Sequence, residues 1–417
     1  MKVLIHGTGT EGAAAAAYFG GKERFNTKLF DDHGAQRIAA ETVDEEGAAE
    51  HLRGGLYLRS PGVPPSHRLV LQGVKSAALA TTPTGYWLAE HAPPNTVTIT
   101  GTKGKSTTTA LLTELLRAAG KGAAAYGNIG HPVLSENAVT EPYPILEVSS
   151  YMMHDLPETD HFHMVTNLFK EHTDWHGSEA AYRAAKLKPF LRSQPASGWA
   201  PRSVIDDHQL PPSVQAIDDI VGVTDTEFQV GRARIDLGPD DLGFRHGPLR
   251  SSLRAALAAA VEFVEPSRLA PAASEVINTW RGLPSRQEVL PTQDGRLWVD
   301  DALATIPEAT LSALQRFQNR AVTLIVGGND RGQDFSRLSA WIEDHASVTA
   351  IGCGPAASRI AGLAETYDDF ADAVTRAEAV TEKGGVLLFS PSAPSSAPYK
   401  NYKERSAVFR RKAGLAP

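Results

Sequence analysis

The chain has one cysteine in 417 residues, Cys353, so no disulfide forms within it. No apolar run approaches the roughly 20 residues that a membrane-spanning helix needs, so a membrane span is not expected. Excess positive charge is missing too: 41 Lys and Arg stand against 48 Asp and Glu, a formal net charge of −7, which argues against nucleic acid as the main partner. A local basic funnel for an anionic substrate remains compatible with that balance. No repeat of fixed period is visible, and the only low-complexity stretches are short Ala-rich helices. The first residues, Met1-Lys-Val-Leu-Ile-His6, read as a strand rather than a signal peptide, so a cytoplasmic protein is expected.

What remains has an ordinary soluble composition, 42% hydrophobic and 21% charged, long enough for two or three domains. Its most informative stretch is Asn95–Leu116, where a β-branched strand enters a glycine-broken turn and then an apolar-periodic helix. Gly101 and Gly104 let the backbone curl so that successive N–H groups point inward, as phosphate binding requires. Lys105 is placed to reach the outer phosphates, and Ser106 or Thr107 to ligate magnesium. A helix beginning near Lys105 adds its positive end to the same spot, and Gly120 closes it. The turn is one residue shorter than the G-x-x-x-x-G-K-[ST] form.

Upstream, Gly7-Thr-Gly9-Thr-Glu-Gly12 follows a strand and opens a helix, a G-x-G-x-x-G turn. Asp31 and Asp32 end the next strand, where a ribose-binding acid would stand. Three readings are open for this turn: a nucleotide diphosphate, NAD, or tight helix–strand packing alone. Leu56–Val63 is a further strand that ends in Ser60-Pro-Gly, which puts a hydroxyl at the same sheet edge. Downstream, strand and helix alternate from 95 to 283, as a mostly parallel sheet demands. The strand Pro144–Ser150 carries Glu147 towards the phosphate turn, a usual place for a magnesium-linked acid. Met164–Gly177 runs into a loop dense with acids and imidazoles, Glu171, His172, Asp174 and His176. With no cysteine partner, and with the stretch read as a loop so that it sets no i, i+4 pair on a helix, magnesium fits there better than zinc. Ser178 caps the next helix, in which Lys186 reads most simply as a surface lysine. After a linker at Leu283–Arg286, strands ending at Asp300-Asp301, Gly327-Gly328, Gly354 and Ser390 all finish in small or polar residues, the mark of a sheet whose carboxyl edge carries a site. The Pro-rich loop Ser390–Tyr402 and a basic helix, Lys403–Lys412, complete the chain.

Taken together, Thr100–Thr107, Gly127-Asn-Ile-Gly130, Leu146-Glu-Val-Ser-Ser150, Asn167 with Glu171, His172 and Asp174, Tyr182–Lys186, and Gly327-Gly328 with Asp330-Arg331-Gly332 resemble the Mur ligases of peptidoglycan synthesis along almost the whole chain. The resemblance implies an α/β protein of three domains, each on a mostly parallel sheet. These are a Rossmann-like UDP-sugar domain over 1–94, a P-loop ATPase domain over 95–283 and a Rossmann-like amino-acid domain over 284–417. It implies a monomeric ligase that phosphorylates the carboxylate of UDP-N-acetylmuramoyl-L-alanine with ATP and lets the amine of D-glutamate attack the acyl phosphate. Gly101, Thr102, Lys103, Gly104, Lys105, Ser106 and Thr107, with Arg286 and Asp301, would hold ATP. Ser106, Thr107, Glu147, His172 and Lys186 would serve two Mg2+ ions, Lys186 through a carbamylated amine, and Asn128 would orient the substrate carboxylate. Gly9, Thr10, Asp31, Asp32 and Ser60 would bracket the uridine diphosphate, which removes NAD from the first turn; Thr305, Arg331, Ser395 and Tyr402 would line the glutamate site.

The chain also departs from the family pattern. Asp301-Ala-Leu303-Ala-Thr305 lacks a lysine that many members carry, and Ser251–Ala255 lacks the asparagine that would read adenine, leaving Arg250 and Arg254 as nearby cations. The Asp-Asp-Ala-Leu-Ala-Thr run also resembles ligases that add L-glutamate. That specificity and a non-catalytic nucleotide-binding homologue stand as alternatives.

Overall fold

The computed structural model describes residues 1–32, 40–129, 131–135, 139–239, 243–245 and 247–415. Gly130, part of one motif quoted above, lies outside them. The chain divides into two compact units, Met1–Asp236 with Ser251–Val276, and Leu237–Arg250 with Ile277–Pro417.

The first unit holds two parallel sheets. One is built from β1 (Lys2–His6), β2 (Asn26–Phe30), β3 (Glu41–Thr42), β4 (Leu56–Arg59) and β5 (Leu79–Thr81), in the order β3-β2-β1-β4-β5. Because the order reverses between β1 and β4, the crevice for a ligand opens beyond the carboxyl ends of those two strands. The helix Thr10–Phe19 follows β1 directly and buries Ala15, Ala16 and Phe19 on the sheet. The second sheet uses β6 (Val97–Thr100), β7 (Ala123–Gly127), β8 (Tyr143–Glu147), β9 (Phe162–Val165), β10 (Gly198–Ala200) and β11 (Val214–Ala216), ordered β11-β10-β9-β6-β8-β7. Its central strand, Val97-Thr-Ile-Thr100, is buried at all four positions, as a parallel strand covered on both faces must be. Here too the order reverses at β6, so the turn after Thr100 lies at the switch point.

A feature the alternation did not predict follows: β12 (Val221–Val223), β13 (Glu227–Val230) and β14 (Ala233–Asp236) form an antiparallel meander. The second unit carries β15 (Glu288–Val289), β16 (Leu297–Asp300), β17 (Val322–Val326), β18 (Val348–Cys353), β19 (Leu363–Tyr367) and β20 (Val386–Phe389), ordered β15-β16-β20-β17-β18-β19. Among its described strands only the β15–β16 pair is antiparallel. The whole is α/β with mostly parallel sheets, as expected from the sequence. No helix among the described residues is long and apolar enough to cross a membrane.

Candidate functional site

The turn after β6 is shaped by its two glycines. Gly101 has φ +142°, and a Cβ there would collide with the Thr166 hydroxyl; Gly104, at φ +79°, precedes the helix Lys105–Ala118. The segment that follows β9 clamps this turn from outside. Thr102 N donates to the Asn167 carbonyl at 3.0 Å, Lys103 N to Asn167 Oδ1 at 2.8 Å, and the Asn167 amide returns a bond to the Lys103 carbonyl at 3.0 Å. Lys103 is ion-paired with Glu171, so its ammonium is engaged at the surface. Lys105 Nζ donates to the Thr102 carbonyl at 3.0 Å, folded over the turn.

β8 delivers Glu147, 1% exposed, to the edge of this turn. Its Oε1 accepts from Asn128 Nδ2 at 2.9 Å, while Oε2 is buried with no hydrogen-bond partner among the described residues. A buried carboxylate oxygen left bare is costly unless something positive meets it. Ser106, 4% exposed, supplies a hydroxyl in the first turn of the adjacent helix. A hard-oxygen cation such as Mg2+ fits this donor set.

Lys186 is not the surface residue that its helix first suggested. It is 2% exposed; Nζ donates to the Gly101 carbonyl at 2.7 Å and to Thr100 Oγ1 at 3.2 Å, and lies 5.0 Å from the Tyr182 ring centre. Burial, aided by the charge of Lys105, pushes its amine down to about 7. His172, at φ +52°, places Nδ1 3.1 Å from the Tyr151 hydroxyl, and burial lowers its pKa.

Gly101, Lys105, Asn128, Tyr151, His172 and Lys186 line a cavity of about 640 Å³ whose opposite wall is Gly7–Glu11, Asp31, Asp32 and Ser60–Pro64. Both glycine turns of the first unit therefore face one space. The expected residues Gly9, Thr10, Asp31, Asp32 and Ser60 all reach it. Two of them are also structural: the Thr8 amide and hydroxyl donate to Asp31 Oδ2 at 2.7 and 2.6 Å, and Ser60 Oγ donates to the Gly7 carbonyl at 3.0 Å. Thr102, Lys103, Gly104, Ser106, Thr107 and Glu147 lie in or beside the phosphate turn rather than on the cavity wall.

The other expected residues lie in the second unit. Arg331 is exposed and Thr305 half-buried; Ser395 Oγ accepts from Arg405 Nε at 3.1 Å, and Tyr402 packs on the unit's core at the start of the helix Tyr402–Lys412. Arg286 is exposed beside Ser285, which has φ +54°. Asp301 is 5% exposed and already bonded, accepting from Ser390 Oγ at 2.7 Å and Gln287 N at 3.1 Å; burial raises its carboxyl to about 7. Arg254, a cation near the missing asparagine, spends its guanidinium on Asp218 Oδ1 at 2.9 Å and on the Asp218 and Val221 carbonyls.

Three residues went unnoticed in the sequence. Glu11, inside the first glycine turn, is 8% exposed, accepts from Thr84 Oγ1 at 2.5 Å and lines the cavity. Arg59 is fully buried and reaches Asp155. Ser252 stands against the phosphate turn, its Oγ 3.2 Å from where a Cβ on Gly104 would lie. Only Glu11 had a signal, an acid at a variable position of a phosphate-type turn.

Residues 99–209 match the family model described as Mur ligase middle domain. The chain is 35% identical over 454 residues to a UDP-N-acetylmuramoyl-L-alanine–L-glutamate ligase of Xanthomonas axonopodis pv. citri (strain 306), covering 100% of this chain and 95% of that protein. It is 32% identical over 447 residues to a ligase of the same name from Salinispora tropica, covering 98% and 96%. Among solved structures, the MurF ligase of Thermotoga maritima in complex with ADP is similar with TM-score 0.56 at 14% identity, over 88% of this chain and 96% of that one. At that identity the likeness speaks to the fold.

Proposed function

We propose that this chain, which belongs to the Mur ligase family, joins L-glutamate to UDP-N-acetylmuramoyl-L-alanine at the expense of ATP. It is an ATP-dependent amide-bond ligase. The observation that carries the finer reading is the shared cavity, in which a diphosphate-type turn at Gly7–Glu11 faces Lys105, Asn128, His172 and Lys186. The sequence alone favoured D-glutamate; the names of the relatives favour the L-glutamate alternative.

The reading divides the chain into a UDP-sugar domain (1–94), an ATPase domain (95–283) and an amino-acid domain (284–417). In it, the turn Gly101–Thr107 wraps the ATP phosphates and Lys105 neutralises charge on the transferred phosphoryl group. The substrate's carboxylate takes that phosphoryl group, the amine of glutamate attacks the resulting acyl phosphate, and inorganic phosphate leaves. Asn128, held by Glu147, orients the carboxylate. Ser106, Thr107 and Glu147 would hold one Mg2+, with His172 and Lys186 serving a second; bound magnesium would supply charge neutralisation along the phosphate chain. Of the second unit's residues, the reading assigns Arg286 and Asp301 to the nucleotide and Thr305, Arg331, Ser395 and Tyr402 to glutamate.

Lys186 is suited to carbamylation because that reaction needs the neutral amine, which burial makes abundant near pH 7. With 13C-labelled bicarbonate, a carbamate resonance should rise between pH 6 and 8 and be missing in Lys186→Arg; its absence from the wild type would remove this role.

The decisive assay is phosphate release with UDP-N-acetylmuramoyl-L-alanine, ATP and magnesium, comparing L-glutamate, D-glutamate and neither. Release with L-glutamate alone is expected. Release with D-glutamate alone would reverse the stereochemical assignment, and silence with both would overturn the reaction. Lys105→Ala should lower turnover by roughly a hundredfold or more, since removing one such charge stabiliser typically costs about 3 kcal/mol.

A further inference from the structure

We propose that His6, Asp32 and His67 bind one divalent transition-metal ion of the zinc class in the wall of the first unit's cavity. The three residues come from separate elements: His6 ends β1, Asp32 stands two residues beyond β2, and His67 precedes the helix Arg68–Ser76. Their donor atoms all lie within 4.8 Å of one another. His6 Nε2 is 3.1 Å from Asp32 Oδ2, and His67 Nε2 is 3.0 Å from Asp32 Oδ1. A tetrahedral ion about 2.0–2.1 Å from nitrogen and oxygen ligands sets them roughly 3.3 Å apart. The two contacts run to different Asp32 oxygens, so the carboxylate has to turn to offer one oxygen while the two imidazoles close, movements contained within the 4.8 Å that spans the three ligand atoms.

The outer partner of a metal-bound imidazole is also present. His6 is completely buried, and its Nδ1 meets the buried Tyr57 hydroxyl at 2.7 Å, the kind of second contact that fixes the ring of a ligating histidine. Two imidazoles with one carboxylate select zinc-class ions over magnesium, which takes oxygen ligands. Entry is through the cavity: Asp32 lines it and is 37% exposed at its side chain, with His67 at 22%.

The competing arrangement is metal-free, with each Nε2–H donating to one Asp32 oxygen. At His67 that tautomer is favoured locally, because Leu69 N donates to Nδ1 at 3.2 Å. Metal binding moves the imidazole proton from Nε2 to Nδ1 and gives up that bond. The balance is one neutral hydrogen bond given up against three metal–ligand bonds formed. At His6 the tautomer change costs nothing, since the Tyr57 hydroxyl both donates and accepts.

The inference is independent of the ligase reading, and its test needs no turnover. The full chain, stripped with chelator and kept in excess Mg2+ to occupy oxygen-ligand sites, is titrated with Co2+ and followed by visible absorption. One equivalent should produce the intense bands of four-coordinate cobalt, and Zn2+ should displace them. Asp32→Asn and His67→Gln, both at partly exposed positions, should each weaken Co2+ binding by more than about a hundredfold, beyond the scale of outer-sphere changes. Glu147→Gln should retain the bands. No bands in the wild type, or equal bands in the wild type and both variants, would overturn the site.

Discussion

Glu11 shows how one side chain can set a pH dependence for the whole fold. Burial is the largest influence on its carboxyl and raises it from 4.5 to about 7, against the opposing hydrogen bond from Thr84. In the unfolded chain the group titrates near the ordinary value, so between about pH 4.5 and 7 the folded protein binds more protons. Stability therefore falls as pH rises through that window and is flat above it. The loss amounts to roughly 3 kcal/mol at about 1.4 kcal/mol per unit. Glu11→Gln keeps an acceptor for Thr84 and removes the ionisation. Chemical denaturation should find the variant more stable than the wild type at pH 8, with the advantage gone at pH 4; an equal gap at both pH values would exclude Glu11 as the cause.

The elements that carry the site differ in how they fail. Ser178 caps the helix Glu179–Leu187, accepting from Ala181 N at 3.1 Å, and that helix brings Tyr182 and Lys186 to the phosphate turn. Ser178→Ala should cost about 1 kcal/mol of stability and leave measurable turnover, because the helix is still held by its buried face. Gly127 is different: it has φ +90° and a Cβ would strike the Glu147 carbonyl, backbone that cannot step aside. Gly127→Ala should shift the β7–β8 pair, detach Asn128 from Glu147 and lose far more activity than the cap variant, measured as phosphate release at matched folded fraction. Sequence periodicity reveals the elements that behave in this way. β6 and β17 are short β-branched runs ending in glycine, and the phosphate turn carries its own residue pattern. The β12–β14 meander escaped because strands of three and four residues with exposed alternate positions give almost no signal. The burial of Lys186 escaped for a different reason. A lysine on an amphipathic helix is legible only as polar, and its fate depends on Tyr182 and the Gly101 carbonyl, which come from elsewhere in the fold.

At the scale of the first unit, Arg59 links the two parallel sheets. It ends β4, is fully buried, and pairs with Asp155, which follows the helix after β8, at 2.6–2.7 Å. The same guanidinium reaches the Val63 carbonyl and lies 5.2 Å from the Trp175 ring centre, so it also pins the Ser60–Pro64 wall of the cavity. Removing one partner of a buried pair typically costs about 3–5 kcal/mol because a charge is stranded. Here Asp155 keeps His154 at 2.6 Å and is 14% exposed, which places the expected loss for Arg59→Met near the lower end, about 3 kcal/mol. Arg59→Met/Asp155→Leu removes the stranded charge and should recover much of that stability. The cavity wall, however, stays unpinned in both variants. KM for the proposed uridine-nucleotide substrate should therefore remain raised by about tenfold or more in the double variant, the equivalent of losing about 1.4 kcal/mol of binding, while kcat changes much less. If KM recovered together with stability, Arg59 would be holding the fold alone and not the shape of the cavity.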